Sequence, residues 1–124
     1  MVAFNFAPEF ADPVERRVKR TTIRQTRRAK VGDRIQLYTG QRTPECRKLT
    51  EEDPVCTRVT YVAIRKSGIT LGNVEGLPRD RDEFARLDGF DDYADMLRWF
   101  QQRYGAGEFV GYLHQWEWDA NAKR

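Results

Sequence analysis

The sequence predicts an α+β domain, a small and mostly antiparallel β-barrel or curled sheet flanked by short helices. Three features predict it: helix punctuation near the N-terminus, β-branched runs separated by turn residues in the middle, and two capped amphipathic segments ahead of a closing aromatic strand. The 124 residues make one domain, residues 1–124, large enough for a single core. With 40% apolar and 33% charged residues, the composition is that of a folded protein rather than a disordered tail.

Each element has its own local reason. "DPVERRVKR" predicts a short helix in which Asp12 caps, Pro13 takes the first helical position and Glu15 supplies capping-box spacing. Val14 and Val18 then share a face, leaving Arg16, Lys19 and Arg20 more exposed. "TTIR" predicts a strand start, "VGD" a turn, and "RIQLYT" a strand with Ile35 and Leu37 on one side. "VCTRVTYVAI" is the longest predicted strand, followed by a "KSG" turn and a weaker strand at "ITLGNV". In "RDRDEFARLDGF", Phe84 and Leu87 share a helical face, and Gly89 stops the helix with Asp88 at its end. "DDYADMLRWFQQRYG" turns Tyr93, Met96, Leu97, Phe100 and Tyr104 toward a core and stops at Gly105. "EFVGYLHQWEW" is apolar in both alternating sets, the pattern of a strand buried on both sides.

Charge is segregated. Residues 16–48 hold twelve of the 22 lysines and arginines against Asp33 and Glu45, whereas residues 80–95 hold seven acids against Arg81 and Arg86. A basic face of this kind suits nucleic acid or nucleotide as well as plain solvent. The N-terminus lacks the basic and long apolar regions of a signal peptide, and no apolar run reaches membrane-spanning length, so no membrane partner is expected. Cys46 and Cys56 are too few for a disulfide scaffold and have no Cys/His set around them for zinc, which fits a reduced, cytoplasmic protein with no metal. The single histidine, His114, lies in an apolar strand and reads as a hydrogen-bonded interior residue rather than a ligand.

The most chemically suggestive stretch is "RRVKRTTIRQTRRAK", residues 16–30, where Lys19 precedes Thr22 by three positions. A threonine hydroxyl needs a base to act as a nucleophile, and a lysine serves only when burial or nearby cations lower its pKa. Arg16, Arg17, Arg20 and Arg24 crowd Lys19 in sequence.

The ordered set "VKRTTIR", "VGDRIQLYTGQRT", "LDGFDDYADMLRWFQQRYG" and "FVGYLHQWEW" resembles an ASCH domain, a PUA-like β-barrel fold, over roughly residues 4–118. The resemblance implies an RNA-binding or nucleotide-binding module. It also points to one bacterial branch that removes the acetyl group from N4-acetylcytidine without metal or cofactor. In that branch a lysine accepts the proton, a threonine three residues later is the nucleophile, and a distant glutamate donates a proton. Carried over, these roles fall on Lys19, Thr22 and Asp88, the last an aspartate where the branch has glutamate and about 1–1.5 Å shorter in reach. Arg24 becomes a candidate for stabilising the oxyanion, and Tyr38 or Trp116 for stacking on the cytosine.

Two functions follow as expectations. One is an amidohydrolase acting on N4-acylated cytosine nucleosides, for which Lys19, Thr22 and Asp88 must converge in one cleft with Lys19 partly buried. The other is a noncatalytic RNA-binding module in which Arg16, Arg17, Arg20, Arg27 and Arg28 grip phosphates, with RNA cleavage as a variant.

Overall fold

A computed structural model describes residues 2–118. Its β-branched runs pair into two sheets. The first has the order β1 (Val2–Phe6), β3 (Ile35–Thr39), β4 (Arg47–Lys48); the second has the order β2 (Thr21–Arg24), β7 (Phe109–Glu117), β5 (Val55–Arg65), β6 (Gly68–Leu71). All pairings are antiparallel except β1 with β3, where Phe4 lies beside Leu37. Three helices complete the α+β fold: α1 (Pro8–Glu15), α2 (Arg81–Leu87) and α3 (Tyr93–Tyr104).

The expected barrel does not close. At one corner the sheets run into each other, because Ile35 N–H donates to Pro54 O at 3.0 Å and Cys56 N–H to Asp33 O at 2.8 Å. At the opposite corner no backbone ladder joins β1 to β2. The free carbonyls of β1 accept from arginine side chains instead, Asn5 O from Arg24 at 3.1 Å and Ala3 O from Arg28 at 2.8 Å. Guanidinium groups thus satisfy an edge that would otherwise carry unpaired acceptors.

Most expected strands and helices form, and the departures have identifiable causes. The first helix begins at Pro8 rather than Pro13 and ends at Glu15, so Asp12 is internal and pairs with Arg16 at 2.9 Å instead of capping. It ends because Arg17 takes a left-handed conformation, φ 64°, while Val18 N–H bonds Pro13 O and Arg17 N–H bonds Val14 O. That pair of bonds is a Schellman stop. It turns the chain, so Val18 emerges exposed and Lys19 folds inward, the reverse of the predicted faces. Strand β1 has no counterpart among the predicted elements, yet it supplies Phe4 and Phe6 to the core.

The core lies between the sheets and under the helices. On β7 the buried face switches along the strand: Phe109, Gly111 and Leu113 are buried on one side, then His114 and Trp116 on the other. Phe109 packs on Phe100 of α3 with ring centroids 4.7 Å apart, while Trp116 packs on Phe4 and Phe6 of β1 at 6.4 and 6.0 Å. Cys56 is fully buried beside this layer and Cys46 is exposed. No helix among the described residues is long and apolar enough to cross a membrane.

Candidate functional site

Two helix ends build the site. The turn after α1 delivers Lys19, and the end of α2 delivers Asp88 through a second Schellman stop, in which Phe90 N–H bonds Ala85 O and Gly89 N–H bonds Arg86 O. Gly89 has φ +98°, and a Cβ there would stand 3.0 Å from Lys19 Cδ and 3.1 Å from Phe10. Only glycine meets both the dihedral and the close approach.

Lys19 is 3% exposed and Asp88 is likewise 3% exposed, so their contact is taken out of water. Lys19 Nζ donates to Asp88 Oδ1 at 2.9 Å, to Asp88 O at 2.6 Å and to Thr21 O at 2.7 Å, which uses all three of its protons. Burial lowers the lysine pKa, with Arg24 adding to the effect and Asp88 opposing it. The same Asp88 oxygen accepts from Thr21 Oγ1 at 2.5 Å, and among the described residues no hydrogen bond engages its other oxygen.

Thr22 is buried on the opposite face of β2 from Thr21, as strand alternation requires. Its Oγ1 accepts from Arg24 Nε at 3.1 Å. No hydrogen bond joins it to Lys19, yet Lys19, Thr22, Arg24 and Asp88 all line one cavity of about 480 Å³ including its mouth. The rest of the wall is largely aromatic: Phe6, Phe10, Phe90, Trp99, Phe100 and Tyr104. Phe10, Phe90 and the half-buried Trp99 meet edge to face, with centroids 5.2 to 5.8 Å apart.

The expected convergence of Lys19, Thr22 and Asp88 is therefore present in the structure. The two residues expected to stack on a base lie elsewhere. Trp116 is 0% exposed, enclosed by Phe4 and Phe6, and cannot meet a ligand without unfolding the core. Tyr38 sits on β3 between Asn5 and Lys48, outside the cavity lining. Trp99 and Phe10 line that cavity instead. Trp99 carries a sequence signal, an arginine four residues later whose guanidinium covers it: Arg103 Cζ stands 4.4 Å from the ring centroid. Thr21 was also missed, although the adjacent threonines necessarily face opposite ways.

Three of the five basic residues expected at a phosphate backbone are engaged by acids: Arg16 with Asp12, Arg17 with Glu52 at 3.4 Å, and Arg20 with Glu117 at 2.7 Å. Such exposed pairs hold weakly. Arg27 instead covers Tyr112, and Arg28 covers Phe4. His114 accepts from Arg28 N–H through Nε2 at 3.0 Å, and burial pushes its pKa down to about 4. Among the described residues no group of three or more His, Cys, Asp and Glu is placed to hold a metal ion. No protein-family model, curated protein or solved structure matches the chain.

Proposed function

We propose that this chain is an amidohydrolase that removes the acyl group from N4-acylated cytosine nucleosides, in the manner of the ASCH branch its sequence resembles. The observation that carries the reading is the buried Lys19–Asp88 pair opening, together with Thr22, onto one aromatic-walled cavity. Trp99, half-buried in the cavity wall, offers aromatic surface for a pyrimidine.

The chemistry divides among these side chains. Burial lowers the Lys19 pKa and so favours the neutral amine that can act as a base. Lys19 releases one of its present acceptors and takes the Thr22 hydroxyl proton as Oγ1 attacks the acyl carbonyl. Arg24, already donating to Thr22 Oγ1, favours the oxygen's negative charge as the proton leaves. Asp88, hydrogen-bonded to Lys19 Nζ, relays the proton taken from Thr22 to N4 as the C–N bond breaks, so cytidine departs neutral and Thr22 holds the acyl group as an ester. Water then hydrolyses the ester, returning the Thr22 hydroxyl and releasing the carboxylic acid. Ultraviolet spectroscopy of N4-acetylcytidine tests the reading: the parent should convert it to the cytidine spectrum, and Thr22→Val should not.

A second reading, an RNA-binding module that does not turn over nucleosides, is supported by Arg27 and Arg28. Both are exposed, and no carboxylate among the described residues pairs with either.

A further inference from the structure

The cavity holds more positive charge than its known parts use. Four charged side chains line it, Lys19, Asp88, Arg24 and Arg103, and the first two cancel. Arg24 and Arg103 remain, and among the described residues neither makes an ion pair with an acid. Arg24 is fixed by Thr22 Oγ1 and Asn5 O and lies over Phe4 at 4.8 Å, which leaves its second terminal nitrogen uncommitted. Arg103 rides on Trp99 in the last turn of α3. Both line the same cavity; burial and then Arg28 lower the Arg24 pKa to about 10, Tyr104 and Asp88 oppose this, and Arg103 adds a smaller lowering. Two guanidinium groups that line one aromatic-walled cavity, neither in an ion pair with a carboxylate among the described residues, make a favourable place for an anion.

We infer that Arg24 and Arg103 form a phosphate subsite, and that the preferred substrate is the N4-acylated cytosine nucleotide, a 5′-monophosphate, rather than the free nucleoside. A phosphate monoester carries roughly −1.5 to −2 charge at pH 7, which matches the two uncompensated cations. A carboxylate on the acyl group would balance only one. Arginine's fork also suits a phosphate's paired oxygens better than an ammonium would. This inference rests on the proposed amidohydrolase reading for the identity of the base, but the charge argument is independent of turnover.

The experiment compares kcat/KM for N4-acetylcytidine and its 5′-monophosphate at low ionic strength in phosphate-free buffer. The nucleotide should be favoured by roughly tenfold or more, with the preference shrinking as salt rises. Arg103→Gln should bring the ratio toward one and Arg103→Lys should keep part of it. A parent ratio at or below one overturns the inference and leaves the amidohydrolase reading standing. If neither compound is turned over, that reading fails, and calorimetric titration with cytidine and cytidine 5′-monophosphate decides the subsite. Tighter binding of the monophosphate, weakened by Arg103→Gln, supports it; equal binding, or none of the monophosphate, overturns it.

Discussion

Adjacent threonines in β2 meet different partners, and single substitutions should distinguish them. Thr22→Val keeps the shape and removes the hydroxyl that accepts from Arg24, so it should abolish acyl transfer at a cost of about 1–2 kcal/mol in stability, leaving the fold intact. Thr21→Val removes a donor from the buried Asp88 carboxylate and should cost about 1.5–3 kcal/mol of stability, read by denaturant titration. Lys19→Ala strands Asp88 in the interior and should cost about 3–5 kcal/mol, so its lost activity must be measured alongside circular dichroism. His114 adds a pH response. Its imidazole must stay neutral to accept from Arg28 N–H, and its folded pKa of about 4 lies below the unfolded 6.5. The unfolded chain therefore binds the proton first on acidification. The stabilisation is complete above pH 6.5 and is lost as pH falls toward 4, by about 3 kcal/mol. Unfolding of His114→Gln across that range should show a flatter profile, since the amide oxygen can accept without titrating.

At the scale of elements, the two Schellman stops decide whether Lys19 and Asp88 meet. Gly89→Ala forces a left-handed alanine and drives its Cβ against Lys19 and Phe10; a loss of about 1–3 kcal/mol and a displaced lysine are expected, measurable as lower Tm together with lower kcat. The stop at Gly89 was legible in the sequence, because glycine after a short amphipathic run has one common use. The stop at Arg17 is not, because an arginine in that conformation leaves no compositional mark, and the pattern alone predicts a helix through Val18. The same limit explains β1. Five residues, four of them apolar with no alternation and set just ahead of Ala7–Pro8, carry little strand signal, and only pairing with β3, more than 30 positions away, makes them a strand. Ile35 and Leu37, the length of β5 and the burial of Tyr93, Met96 and Phe100 followed directly from periodicity. The aromatic wall did not, since which rings face a cavity depends on how α3 rests against α1.

Across the whole molecule, charge has been sorted into paired and unpaired sets. Arg16, Arg17 and Arg20 pair with acids, whereas among the described residues Arg24, Arg27, Arg28 and Arg103 make no ion pair with one. If RNA binds, its affinity should fall with salt, and Arg27→Ala should lower the log–log slope by about one unit while Arg16→Ala changes it less. A slope unmoved by Arg27→Ala would remove that residue from any RNA contact. The joint between the two sheets has a separate consequence through its sulfur atoms. Cys46 stands in solvent, while the Cys56 thiol is enclosed at the corner where Cys56 N–H donates to Asp33 O and Cys56 O accepts from Gly32 N–H, and burial raises its pKa. A thiol reagent will therefore tag Cys46 at once and reach Cys56 only when that corner parts. The chain carries its own stopwatch, in which the delay between the first tag and the second times how often the seam between the sheets opens.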